Sequence, residues 1–144
     1  MSQSYLTFFF AVILGVIFDI IFNVNILTNN IFQYTGLVFI LLGTILAYWA
    51  QNSSRIAKEK WQKDHIDVGF SFGPYKYSRN PTHLGLFIMT MGFAFIIGST
   101  FSLFFVIIAY IITKTVYLKK EEKILAEKYG EEYSNYKKKI KGIL

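Results

Sequence analysis

Residues 84–113 read LGLFIMTMGFAFIIGSTFSLFFVIIAYIIT, thirty positions without a charged side chain. As one α-helix this run would measure about 45 Å, against a bilayer hydrocarbon core of roughly 30 Å. Gly98-Ser99-Thr100 lies near its middle, and these are turn-forming residues. The run therefore reads as two short helices joined by a tight turn, roughly Pro81–Gly98 and Phe101–Leu118. Working outward, Tyr5–Phe22 is a second apolar run, broken only by Asp19, and Ile31–Ala50 is a third with no charge. Before Arg55, Asp19 is the sole charged side chain. None of the runs alternates with period two, so helices that satisfy their own backbone groups in lipid fit better than strands.

The composition agrees. Of the 144 residues, 53% are hydrophobic, 19% aromatic and only 17% charged, where a soluble domain carries about 25% charged residues. A soluble domain of this length cannot hide such runs, and a chain without Cys is no disulfide scaffold. The expectation is one all-α, membrane-embedded domain over residues 1–144. It has about four transmembrane helices, the last two a tight hairpin, followed by an amphipathic C-terminal helix.

Basic residues set the expected orientation. Arg55, Lys58, Lys60, Lys63, Lys76 and Arg79 lie between the second and third spans, and the other nine Lys follow from Lys114 onward. The Asn23–Asn30 connection has none. The positive-inside rule puts both basic segments, both termini and the C-terminal helix in the cytoplasm. The N-terminal stretch lacks the basic region and small-residue cleavage site of a leader peptide, so none is expected. The net charge of +6 is juxtamembrane and suits anionic lipid head groups rather than nucleic acid. The small size and Ile/Lys/Asn-rich composition point to a prokaryotic plasma membrane. Oligomeric state is not legible.

Two polar segments carry the chemistry. The first leaves the membrane as a helix over Gln51–Lys63, with Trp49 and Trp61 as interface anchors. It continues through the turn-rich Gly69-Phe70-Ser71-Phe72-Gly73-Pro74-Tyr75 to Lys76-Tyr77-Ser78-Arg79-Asn80-Pro81-Thr82-His83-Leu84-Gly85. Pro81 suits the first position of a helix, with Ser78 or Asn80 as its cap. The N–H groups of that helix start, beside Arg79, suit a carboxylate or phosphate. The second segment begins at Lys119. Leu125, Tyr129, Tyr133, Tyr136 and Ile140 recur at three- and four-residue steps and give an amphipathic stripe on a helix that Gly130 interrupts. Glu121 and Glu122 stand at the membrane edge, where carboxylates are costly unless solvated or engaged. Gly36 and Gly43 suit close helix contact. Asp19, near the end of its span, is expected to reach the outer or lumenal surface.

Gly73-Pro74-Tyr75 with Tyr77-Ser78-Arg79-Asn80-Pro81 and Gly85 resembles the G-P-Y…R-H-P-x-Y-x-G signature of the isoprenylcysteine carboxyl methyltransferases. Glu121-Glu122-x-x-Leu125 with Tyr129-Gly130-x-x-Tyr133-x-x-Tyr136 resembles the E-E-x-x-L…F-G-x-x-Y-x-x-Y tail of the same family. The wider group includes phospholipid N-methyltransferases. The match covers residues 69–136. The resemblance implies a membrane methyltransferase that uses S-adenosylmethionine on a lipid-like or amphiphilic acceptor, carboxyl or amine, entering from the bilayer. No metal is expected.

The implied cofactor contacts are Tyr75, Tyr77, Arg79, Asn80, Pro81, His83, Leu84, Gly85, Tyr117, Glu121 and Glu122, with Arg79 and Glu122 in the catalytic role. Arg79 and the helix start at residues 80–83 suit the cofactor carboxylate. Glu121 or Glu122 suits its ammonium or ribose hydroxyls. Tyr75, Tyr77 or Tyr117 suits the adenine or sulfonium. An amine acceptor has to lose a proton, to Glu122 or His83, whereas a carboxylate acceptor needs no base.

The chain departs from the pattern at Asn80, where His is usual, and at His83, where Tyr is usual. Lys137-Lys138-Lys139-Ile140-Lys141 also replaces a Pro-Arg ending. The alternatives are a reductase of related architecture using a nicotinamide cofactor, and a non-enzymatic membrane adaptor whose basic tail recruits anionic lipid. For the adaptor, Arg79 is only a snorkelling cation and Arg79→Lys is harmless.

Overall fold

A computed structural model describes residues 2–24, 27, 29–64 and 72–140. The side chain of Trp61 and the segment Gly69-Phe70-Ser71 lie outside the described residues, as does Lys141. The described residues are helical, without strands. Helix α1 spans Ser2–Phe22 and α2 spans Asn30–Asp64, so the apolar run Ile31–Ala50 and its polar continuation form one helix. A short 3₁₀ turn, Gly73–Lys76, leads to α3, Pro81–Ile97. Helix α4, Thr100–Ile112, continues through a π-helical stretch, Thr113–Leu118, into α5, Lys119–Lys139.

The thirty-residue run thus folds as the expected hairpin. Ser99 caps α4 by accepting the Ser102 N–H at 3.1 Å. Among the described residues, three helices are long and apolar enough to cross a membrane, and α3 is a shorter apolar helix. Large apolar side chains such as Phe9, Ile20, Leu41 and Phe104 cover the outside, the arrangement expected of a protein embedded in lipid.

Lipid is as apolar as a leucine side chain, so helices in a membrane associate by close packing and polar contacts rather than by hydrophobic collapse. Both devices are present. Helix α2 lies antiparallel on α3 along two glycine pairs seven residues apart. A Cβ on Gly36 would stand 2.7 Å from the Gly92 carbonyl oxygen, and one on Gly43 would stand 2.6 Å from that of Gly85. Phe32 and Phe39 pack on Phe95 along the same seam. Helix α1 packs on α4, and Phe8, Ala11, Leu86, Val106 and Ala109 form the buried core.

The polar device is Asp19. The carboxylate does more than reach the surface: Oδ1 accepts the Phe101 N–H at 3.2 Å and Oδ2 accepts the Ser99 hydroxyl. The Ser102 hydroxyl donates to the Val12 carbonyl at 2.9 Å. Asp19 therefore ties α1 to the start of α4, where a helix dipole favours an anion. Asp19→Ala is expected to cost about 1–3 kcal/mol, because it leaves buried donors unpaired at a helix start. A lowered thermal midpoint in detergent, with ligand affinity unchanged, checks this.

Candidate functional site

The glycine seam fixes α3 beside α2, and α3 carries the linker residues 77–80 at its N-terminal end. Gly73, at φ +59°, brings the 3₁₀ turn against α2 so closely that a Cβ would stand 2.2 Å from Ser53 Oγ. The turn thereby holds Tyr75, whose hydroxyl lies 2.8 Å from Ser54 Oγ. Pro81, fully buried, opens α3. Asn80 occupies the cap position without a side-chain capping bond, and Ser78 Oγ instead accepts the Asn80 N–H at 3.3 Å. Neither proposed cap therefore covers the first-turn N–H groups of α3 with its side chain.

The π-helical stretch sits immediately before Glu121 and Glu122. Its wider turn changes the register of the helix face, a feature often found beside functional sites. Lys119 and Lys120 are exposed, while Glu121 and Glu122 face inward. Glu122 Oε1 lies 2.8 Å from Arg79 Nη1, with the two side chains 15% and 16% exposed. Glu122 thus engages Nη1, while Nε of Arg79, also buried, has no hydrogen-bond partner among the described residues. Glu122 Oε2 lies 2.7 Å from Lys137 Nζ.

At Gly130 the chain takes φ 53° and ψ −124°, a conformation that only glycine adopts readily, and α5 is bent there. The segment beyond folds back, so that Tyr133 and Tyr136 are buried. The Tyr136 hydroxyl donates to the Tyr75 carbonyl at 2.8 Å. Burial first, then the neighbouring Tyr133 and Tyr75, push the Tyr136 phenol up to about 12, so it stays a donor at neutral pH. The Tyr133 phenol is raised too, by burial and then by the Glu122 charge.

These parts line a half-open cavity of about 290 Å³. Helix α2 contributes Ser53, Ser54, Ala57 and Lys58. The linker and α3 contribute Phe72, Tyr75, Arg79, Asn80, Thr82 and His83. Glu121, Leu125 and Tyr129 close it from α5, with Tyr133 and Tyr136 beyond the bend. Buried His83 lies within electrostatic reach of Glu121, and its Nε2 has no hydrogen-bond partner among the described residues. The cavity is thus lined by a guanidinium whose Nε is unengaged, by a carboxylate and by aromatic rings. Such a lining can hold a zwitterionic ligand with an aromatic part.

Of the residues singled out in the sequence, Tyr75, Arg79, Asn80, His83 and Glu121 line this cavity, and Glu122 borders it through Arg79. Pro81, Leu84, Gly85, Tyr77 and Tyr117 are not among its lining residues. Gly85 faces Gly43 and Ala47 of α2, Tyr77 is 68% exposed, and the Tyr117 hydroxyl lies 3.5 Å from Thr7 on α1. The α2 wall was not foreseen. Its signal is the helical spacing of Ser54, Ala57 and Lys58, one face of the helix that carries the chain out of the membrane.

Residues 31–132 match the family described as phospholipid methyltransferase. The chain is also 30% identical over 118 residues to the protein-S-isoprenylcysteine O-methyltransferase of Schizosaccharomyces pombe, an overlap of 77% of this chain and 48% of that protein. To the Saccharomyces cerevisiae protein of the same name it is 32% identical over 121 residues, or 79% and 49% of the two chains. The chain spans about half the length of the curated relatives it matches. No solved structure matches it significantly. The family match runs from the start of α2 through both members of the Arg79–Glu122 pair and takes in the whole α3–α4 hairpin, and on that ground this integral membrane chain belongs to the phospholipid methyltransferase family.

Proposed function

We propose that the protein transfers a methyl group from S-adenosylmethionine to a lipid-like or amphiphilic acceptor, carboxyl or amine, at the cytoplasmic face of a prokaryotic plasma membrane. The observation that carries this reading is Arg79: largely buried at the cavity wall, paired with Glu122 through Nη1, and with a buried Nε that has no hydrogen-bond partner among the described residues. A guanidinium has five donors in a planar fork, and a carboxylate ligand matches it.

The lining fits the cofactor. Arg79 and the uncapped start of α3 suit its carboxylate, Glu121 suits its ammonium or ribose hydroxyls, and the rings of Tyr75, Tyr129 and Tyr133 suit its aromatic and cationic parts. When bound, S-adenosylmethionine supplies a methyl group on a good neutral leaving group. The protein's share is then to position cofactor and acceptor against each other, for which a half-open pocket at the membrane edge is suited. For an amine acceptor, Glu121, Glu122 and His83 are the groups within reach to take the proton.

Calorimetric titration of the detergent-purified protein with S-adenosylhomocysteine tests the proposal. Saturable binding near one equivalent is expected. No binding by folded protein, or stabilisation by NADPH instead, overturns it in favour of the adaptor or the reductase.

A further inference from the structure

The tail beyond Gly130 has a role that the cofactor reading does not use. Glu122 is shared: one oxygen faces Arg79 at 2.8 Å and the other faces Lys137 at 2.7 Å. Lys137 is 51% exposed and comes from the far side of the bend. The same folded-back segment is pinned a second time by the Tyr136 hydroxyl on the Tyr75 carbonyl, and it seats Tyr133 and Tyr136 on the cavity. Space does not require the bend to be glycine, since a Cβ on Gly130 would meet nothing within 4 Å. The backbone conformation does require it.

We infer that residues 131–140 form a strap hinged at Gly130 over the cavity, and that Lys137 is the positioning residue coupling strap to ligand through Glu122. This rests on the ligand reading above. An anionic group on Arg79 adds negative charge beside Glu122, the carboxylate on which Lys137 of the strap is docked. Ligand and docked strap therefore favour each other, and by linkage the effect is reciprocal. Loosening the strap weakens the ligand, and the ligand quiets the strap.

The test uses the full chain in detergent, with hydrogen exchange read by mass spectrometry and S-adenosylhomocysteine as probe. In the wild type, the probe is expected to slow amide exchange over residues 131–139. Lys137→Gln is expected to speed exchange there without probe and to weaken the probe about three- to tenfold, the range for a half-exposed charge on a buried one. Lys137→Arg should restore both. Lys138→Gln should change neither. Gly130→Ala, which strains the bend, should reproduce Lys137→Gln.

Exchange over 131–139 that is indifferent to Lys137→Gln overturns the strap. Equal losses in Lys137→Gln and Lys138→Gln reduce the effect to bulk charge and overturn the positioning role. A wild type that binds no probe defeats the cofactor reading instead, while the probe-free exchange still judges the strap.

Discussion

Arg79→Ala is expected to weaken S-adenosylhomocysteine binding by about 100-fold or more, while the protein remains folded. Hydrogen bonds to a charged group contribute roughly 1.5–3 kcal/mol each, and two to a buried guanidinium account for a loss of that size. The fold survives because Glu122 keeps Lys137 at 2.7 Å and α3 is held by the seam with α2, not by this ion pair. Arg79→Lys is the discriminating variant. A lysine keeps the charge but presents a compact ammonium in place of a planar fork, so binding should fall about tenfold. Calorimetry on the two variants and wild type, beside a thermal midpoint for each, reads both effects. Equal affinity in all three would mean that Arg79 is only a cation anchored at the interface.

Much of this architecture was legible before any coordinates. The charge-free run with Gly98-Ser99-Thr100 at its middle dictated a hairpin, because a bilayer limits the length of a straight helix. Gly130, a helix breaker within the polar tail, marked the place where α5 bends. The meeting of Arg79 with Glu122, 43 positions apart in the chain, followed from motif resemblance and not from periodicity.

What stayed hidden was tertiary. Helix periodicity does not say that two adjacent carboxylates both turn inward, and the π-helical stretch that precedes them has no simple sequence mark. Asp19 is a case of the same kind. Its partners Ser99 and Phe101 lie some 80 residues away, so a capping role is invisible until α1 is packed on α4. The α2 wall was overlooked because a polar helix leaving a membrane reads equally well as solvated.

Gly85→Val is expected to destabilise the bundle by at least about 3 kcal/mol and to leave little folded protein in detergent. A Cβ at this position would stand 2.8 Å from both the Ala47 nitrogen and the Gly43 carbonyl oxygen. These are backbone atoms of a facing helix, so no rotamer change relieves the contact and the helices must separate. Overpacking relieved by side-chain movement costs about 1–3 kcal/mol. Here the whole seam is disturbed, in a medium where close packing supplies most of the association. Gly43→Val should behave alike, since its Cβ would stand 2.5 Å from the Met89 nitrogen. Leu41→Val, on the lipid-facing side, should be silent. The milder Gly85→Ala separates two roles for this residue. A cofactor contact would lower ligand affinity at an unchanged thermal midpoint. A packing contact would lower the midpoint while the folded fraction binds as tightly as wild type. The approach of Gly85 to Gly43 and Ala47 leads us to expect the second, because the atoms that exclude a methyl group there belong to α2 and not to the cavity.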